Sequence, residues 1–256
     1  MSGTIYFDDV GTGVPVLAIH GLGGGAYFFG GLAKRLRDEC RVVAVDLPGT
    51  GRSTSTEPPT MERWARDLGS LVSTEIREPV VVLGHSMGTM AGLHAWRAWP
   101  DLIRGLIFVG GLPRVRPLIR SRLTERLETL TGAADLTGWG PKVSPGNFSP
   151  VTLQDTPEVA ALFERLFEAQ PIQQYTHCLR ILLDADTTAV AQTVFVPALA
   201  ITGADDQYAP PEAVREFADL IPSSCDVTVL DAAGHLPFLE QPDAFAAAVK
   251  SFVRTC

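Results

Sequence analysis

Residues 79–88, PVVVLGHSMG, carry the clearest structural signal in this chain. An almost continuous apolar run, Val80–Leu83, ends in the pentapeptide GHSMG and is followed by a helical pattern over Met87–Trp99. A strand, a sharp turn and a helix in this order form the setting in which G-x-S-x-G exposes a serine at a sheet edge. Side chains at positions 84 and 88 would collide with neighbouring backbone, and the turn forces Ser86 into a strained conformation. We therefore predict that Ser86 is a nucleophile.

Short β-branched runs alternate with longer helical patterns on both sides of this stretch. The core runs are almost continuously apolar, as parallel strands covered on both faces should be. The alternation predicts an α/β fold with a mostly parallel, doubly wound sheet. The predicted strands are Val14–Ile19, Arg41–Val45, Val80–Leu83, Leu106–Val109, Ala198–Thr202 and Val227–Leu230, with Ile5–Phe7 as an added edge strand. The predicted helices are Phe28–Arg37, Met61–Ile76, Met87–Trp99, Pro211–Leu220 and Pro242–Arg254.

One region, residues 112–191, interrupts this alternation because it contains no strand pattern. The helical patterns within it are Leu123–Leu130, Pro157–Ala169 and Ile172–Leu183. We interpret the stretch TGWGPKVSPGNFSP, residues 137–150, as a Gly/Pro-rich loop. The prediction is a helical cap inserted over one end of a core formed by residues 1–111 and 192–256.

Composition limits the classes to which the chain can belong. Its 256 residues are 46% apolar and 20% charged, which is ordinary for one globular domain with an insertion. The net charge of −8 argues against a nucleic-acid partner and gives no attraction to anionic membranes. The four cysteines are far apart, no signal peptide is visible, and the apolar runs are only strand-sized. We expect a cytoplasmic protein without a membrane or metal site.

The base that would activate Ser86 should lie late in the chain, after a strand that ends at the same sheet edge. Among the five histidines, only His235 stands on a loop directly after a predicted late strand. There an imidazole can take the serine proton. A carboxylate that orients His235 should follow the preceding strand, where the sequence offers Asp205 and Asp206. The residue pattern alone does not separate these two neighbours.

Backbone amides on two loops are candidates for an oxyanion hole. The stretch HGLGGG at 20–25 follows a predicted strand, and its glycines allow close approach to a substrate. The N–H groups of Leu22 and Met87 are the candidate donors. Residues 21–26 also match the dinucleotide fingerprint G-x-G-x-x-[GA], with Asp46 after the next strand. We disfavour a dinucleotide enzyme because it would leave Ser86, His235 and the acids at 205 and 206 without a role.

Together these motifs resemble those of the α/β-hydrolase superfamily. The matching stretches are HGLGGG at 20–25, DLPGTGRS at 46–53, GHSMG at 84–88, G-x-x-D-x-x-x-P at 203–210 and GH at 234–235. The resemblance implies that Asp206 is the triad acid, that Asp46 braces its loop, and that residues 112–191 form the cap. It also implies no cofactor.

Within that superfamily the chain looks like the small bacterial esterases and lactonases, such as enol-lactone hydrolases and the pimeloyl-carrier-protein methyl ester esterase. The expected function is therefore cleavage of a small carboxylic ester or lactone by an acyl-enzyme on Ser86. Two alternatives use the same core: a carbon–carbon bond hydrolase of the meta-cleavage type, and a ligand-binding protein without turnover. Oligomeric state stays open.

The cap is the region that would choose the substrate. Its first stretch carries Arg114, Arg116, Arg120, Arg122 and Arg126. These arginines could attract a carboxylate or an acidic carrier protein, although a solvated helix face is the simpler interpretation. The aromatic candidates for the pocket wall are Tyr27, Phe28, Trp139, Phe148 and Tyr175, and most aromatics at such spacing belong to a core.

Overall fold

A seven-stranded sheet forms the centre of the computed structural model, which describes residues 3–256. The strands are β1 (Phe7–Val10), β2 (Val14–Ile19), β3 (Cys40–Val45), β4 (Val80–His85), β5 (Ile103–Val109), β6 (Ala198–Gly203) and β7 (Cys225–Leu230). Their spatial order is β1-β3-β2-β4-β5-β6-β7, and only β1 runs antiparallel to its neighbour. The predicted mostly parallel sheet is confirmed.

Helices follow most strands, as the alternation predicted. Those of the first half are α1 (Gly30–Leu36), α2 (Met61–Leu71) and α3 (Met87–Ala98). Between β5 and β6 lie α4 (Pro117–Leu130), α5 (Gly140–Asn147), α6 (Pro150–Asp155), α7 (Pro157–Glu168), α8 (Ile172–Asp184) and α9 (Thr188–Ala191). The last helices are α10 (Pro211–Ala218), α11 (Pro237–Glu240) and α12 (Pro242–Val253). Short 3₁₀ helices at Ala26–Phe29 and Pro100–Leu102 and a π-helical turn at Val72–Ile76 complete the set.

Two sequence predictions about individual elements are wrong. The edge strand begins at Phe7 rather than ending there, because Phe7–Val10 is the stretch that pairs with β3. The stretch 137–150 is not a loop but contains α5 and leads into α6. Prolines occupy the first turns of both helices, where a missing N–H costs nothing, and Ser149 caps α6 by accepting the Thr152 N–H.

The topology brings four loops to one edge of the sheet. Strands β2, β4, β6 and β7 are parallel, so the loops that follow them open at the same side. The chain reverses its direction of winding between β2 and β4, and in open α/β sheets ligands bind beside such a point. Ser86 and the glycine-rich loop at 20–25 lie on either side of it. The helices of 112–191 contribute to the walls above this edge.

No helix within residues 3–256 is both long enough and apolar enough to cross a bilayer.

Candidate active site

The turn between β4 and α3 holds Ser86 in a strained backbone conformation. Its φ is 52° and its ψ is −116°, a region that residues other than glycine rarely adopt. A Cβ at Gly84 would lie 2.4 Å from the Gly88 carbonyl oxygen, and a Cβ at Gly88 would lie 2.3 Å from the Ile19 carbonyl oxygen. Only glycine fits at either position, so the tight turn follows directly from the pentapeptide.

His235 and Asp206 meet at the same sheet edge. The distance from His235 Nδ1 to Asp206 Oδ2 is 2.9 Å, and both side chains are buried. The other carboxylate oxygen, Oδ1, accepts the backbone N–H groups of Tyr208 and Ala209 at 2.8 and 2.9 Å. These two bonds fix the carboxylate, which can then hold the imidazole with Nδ1 protonated and Nε2 free. Asp205, the alternative acid, is exposed.

Ser86 and His235 line one cavity. No hydrogen bond joins the Ser86 hydroxyl to His235 Nε2 within the described chain, residues 3–256. Nucleophile–base contacts are often loose without substrate and tighten when it binds. Ring contacts limit the movement of His235: Tyr208 lies on one side with a centroid distance of 4.7 Å, and His85 lies at 4.9 Å.

The amides of Leu22 and Met87 stand where the loop after β2 meets the start of α3. Across residues 3–256, neither N–H donates a hydrogen bond to a protein acceptor. The Gly24 N–H instead closes a turn by donating to the Gly21 carbonyl oxygen at 3.1 Å. Two free N–H groups on neighbouring loops form an arrangement that can receive a developing negative charge.

His85, which precedes Ser86, is a buried neutral imidazole that sequence reasoning did not select. Burial lowers its pKa well below the ordinary value, and the nearby His235 lowers it further. Its Nε2 donates to the His235 carbonyl oxygen at 3.0 Å, so the residue before Ser86 supports the loop that carries His235. The contact joins residues 150 positions apart, and no local pattern could reveal it.

His20 and Asp46 brace the glycine-rich loop. His20 Nε2 accepts the Leu47 N–H at 3.1 Å, and burial lowers the pKa of this histidine, which stays neutral. Asp46 Oδ1 accepts the Ala26 N–H at 2.7 Å, while Oδ2 accepts the Arg52 N–H at 2.9 Å. Asp46 is buried and both of its carboxylate oxygens accept protein N–H groups, so it braces the loop rather than standing open to a ribose hydroxyl.

Hydrogen bonds tie the helical segment 112–191 to these loops. Gln170 donates to the Gly23 carbonyl oxygen at 2.5 Å, and the His235 N–H donates to the Asn147 carbonyl oxygen at 2.9 Å. Glu240 accepts the N–H groups of Gly234 and Ser149, each at 2.7 Å, and so bridges the loop that carries His235 to the start of α6. The segment is therefore anchored on both sides of Ser86.

The cavity at Ser86 has two connected parts. The first has walls from Leu22, Phe163, Phe167 and residues of α4 and α8. The second extends towards Gly110 and Arg116. Both include Ser86, Tyr208 and His235. Two chambers that meet at a serine can hold the two halves of a substrate cleaved between them.

The predicted pocket aromatics are divided by the structure. Phe28 and Tyr175 line the first chamber. Tyr27, Trp139 and Phe148 do not line either chamber. Tyr27 is 39% exposed on the outside, Trp139 packs against the Lys142 ammonium group, and Phe148 is buried against the edge of Phe163. Tyr208 and Arg126, which the prediction did not place in the pocket, are wall residues.

A family model described as the alpha/beta hydrolase family matches residues 16–248. The chain belongs to the alpha/beta hydrolase family. Among curated relatives of this hydrolase, the pimeloyl-[acyl-carrier protein] methyl ester esterase of Stenotrophomonas maltophilia (strain K279a) is 29% identical over 270 residues, covering 97% of this chain and 96% of the relative.

Solved structures give the same fold for the hydrolase. A thermophilic esterase from Thermogutta terrifontis, with malate bound, superposes with a TM-score of 0.90 and 28% identity, covering 99% of this chain and 94% of that one. The enol-lactonase from Burkholderia xenovorans LB400 superposes with a TM-score of 0.87 at 22% identity, covering 98% and 97%, and supports the fold alone.

Proposed function

We propose that this α/β-hydrolase cleaves a small carboxylic ester or lactone through an acyl-enzyme on Ser86. The observation that carries the proposal is the pairing of His235 Nδ1 with Asp206 Oδ2 at 2.9 Å beside a serine on a strained turn in the same cavity. Relatives named as esterases, with similarity over nearly the full chain, support ester chemistry.

In the proposed mechanism, Ser86 Oγ attacks the ester carbonyl carbon while His235 Nε2 takes the hydroxyl proton. The tetrahedral oxyanion is stabilised by the N–H groups of Leu22 and Met87. When the carbon–oxygen bond to the alcohol breaks, His235 returns the proton to the leaving oxygen. A water molecule then attacks the acyl-enzyme with His235 as base, and the acid is released with Ser86 restored. Asp206 holds the imidazole in the required tautomer. We also propose that residues 112–191 act as the cap.

The test is turnover of p-nitrophenyl acetate, butyrate and octanoate by the wild type and by Ser86→Ala. We expect wild-type turnover and a loss of several orders of magnitude in kcat for the variant, with an unchanged circular dichroism spectrum. The dependence of kcat/KM on acyl-chain length shows how long an acyl group the cavity accepts. Wild-type turnover retained in Ser86→Ala would contradict the proposal, as would the absence of wild-type turnover both on these esters and on their carboxylate-bearing counterparts.

A further inference from the structure

One charged side chain stands in the wall of the first chamber. Arg126 belongs to α4, and it is the only Lys, Arg, Asp or Glu among the residues that line this part of the cavity. The remaining wall is mainly aliphatic and aromatic, with Leu123, Val143 and Phe163 among its members. A guanidinium in such a setting loses much of its hydration, which is costly unless another group replaces the water.

The protein supplies Arg126 with hydroxyl groups but with no acid. Its Nη1 donates to the Tyr175 hydroxyl oxygen at 3.0 Å, and the Tyr208 hydroxyl lies close to the same guanidinium. Within residues 3–256 no carboxylate lies within 4.0 Å of it. A guanidinium has five N–H donors, so most of them remain available to a ligand.

Neighbouring arginines of the same segment are used differently. Arg114 pairs with Asp186 at 3.6 Å, and Arg120 donates to the Leu183 carbonyl oxygen. Arg114 and Arg120 are exposed, and Arg114 borders the second chamber together with the half-buried Arg116, whereas Arg126 is half-buried in the wall of the first chamber. The two tyrosines fix the direction of the Arg126 side chain without neutralising its charge. This is the arrangement of a binding site for an anion rather than of a structural ion pair.

We infer that the substrate carries a free carboxylate and that Arg126 binds it in the first chamber. The inference rests on the proposed ester hydrolysis and names its substrate class: an ester or lactone that is also an acid. A planar carboxylate can accept two parallel N–H bonds from one guanidinium, and its hydrocarbon part fits the apolar wall. By fixing the carboxylate, Arg126 would then select substrates whose scissile carbonyl lies at the right distance from it to reach Ser86.

The experiment compares pairs of esters in which one member carries a free carboxylate and the other does not. Mono-p-nitrophenyl adipate is paired with p-nitrophenyl hexanoate, and mono-p-nitrophenyl suberate with p-nitrophenyl octanoate. The readout is the ratio of kcat/KM between the members of each pair, in the wild type and in Arg126→Gln, Arg126→Lys and Arg165→Gln. The last variant is the control, because Arg165 is exposed on α7 and does not line the cavity.

We expect a wild-type ratio well above one for at least one pair. Arg126→Gln should lower that ratio about 10- to 100-fold, the range for hydrogen bonds to a charged group, with Arg126→Lys between the two. Arg165→Gln should keep the wild-type ratio. Free adipate should inhibit hexanoate hydrolysis competitively in the wild type and much more weakly in Arg126→Gln. In the wild type, adipate should also inhibit more strongly than hexanediol, its uncharged analogue.

Ratios near one for both pairs, or a ratio that Arg126→Gln leaves unchanged, would overturn the inference. Wild-type adipate inhibition no stronger than that by hexanediol would overturn it as well. These results differ from failure of the proposed function itself, in which neither the neutral nor the charged esters are turned over.

Discussion

At the scale of single residues, backbone strain and buried polarity are concentrated around one serine. Ser86, with a positive φ, is followed by the start of α3 and preceded by the buried neutral His85, which supports the loop of His235. Strain of this kind costs about 1–3 kcal/mol and persists only where the surroundings enforce it. Here the enforcing contacts are the backbone atoms around Gly84 and Gly88.

The choice of acid is testable by a matched pair of variants. Asp206→Asn should lower kcat about 10³- to 10⁴-fold on p-nitrophenyl butyrate, because an amide cannot hold the His235 tautomer that leaves Nε2 free. Asp205→Asn should stay within about threefold of the wild type, since the Asp205 side chain is exposed. Steady-state kinetics on both variants is the measurement. A larger loss of kcat in Asp205→Asn than in Asp206→Asn would identify Asp205, not Asp206, as the triad acid.

Sequence reasoning at this scale rests on local chemistry. It favoured Asp206 over Asp205 only through the family pattern. The structure adds a physical reason, because two backbone N–H groups hold one carboxylate oxygen of Asp206 in place. It assigned Tyr27 and Phe148 to the pocket wall, but the structure places them outside it. Adjacent residues such as Tyr27 and Phe28 differ in burial because of tertiary packing, which aromatic spacing does not encode.

At the scale of elements, the turn between β4 and α3 depends on close approach of backbone to backbone. Gly88→Ala places a Cβ 2.3 Å from the Ile19 carbonyl oxygen of β2, so a central strand must shift. We expect a loss of about 1–3 kcal/mol in the free energy of unfolding, measured by urea denaturation.

Gly30→Ala is the control for this variant. Gly30 is exposed at the start of α1, has a helical φ of −60°, and would meet nothing within 4 Å. The substitution should raise the free energy of unfolding by about 0.4–1 kcal/mol, because it reduces the freedom of the unfolded chain. Equal stability of Gly88→Ala and Gly30→Ala would contradict the account of the turn.

The elements that sequence reasoning missed are those without a clear hydrophobic period. The buried strands β2, β4 and β6 were predicted within three residues of their observed ends, because their apolar runs are continuous. Helix α5 was missed because Gly140, Pro141, Pro145 and Gly146 are poor helix formers. Tertiary contacts stabilise it, among them the bond from the His235 N–H to the Asn147 carbonyl oxygen.

At the scale of the whole molecule, two buried neutral histidines couple stability to pH. Burial lowers the pKa of both His20 and His85, whereas in the unfolded chain each should titrate near 6.5. Below about pH 6.5 the unfolded chain therefore binds protons that the folded chain does not. The free energy of unfolding should be highest above that pH and should fall as the pH drops, by up to about 1.4 kcal/mol per pH unit for each histidine.

Urea unfolding at pH 7.5, 6.0 and 5.0 measures this dependence. The acids Glu39 and Glu57, whose pKa values are lowered mainly by hydrogen bonds from Lys250 and Arg63, are exposed and titrate below this window. An equal free energy of unfolding at pH 7.5 and 5.0 would show that the two imidazoles are not kept neutral by the fold.

Covalent labelling with an alkyl fluorophosphonate, followed by intact-mass spectrometry, tests whether Ser86 is the nucleophile. We expect one label per chain in the wild type, mapped to Ser86 after digestion, in parallel with loss of esterase activity. Ser86→Ala and urea-unfolded wild type should remain unlabelled. Full labelling of Ser86→Ala, or an esterase activity that survives complete labelling of Ser86, would contradict the account.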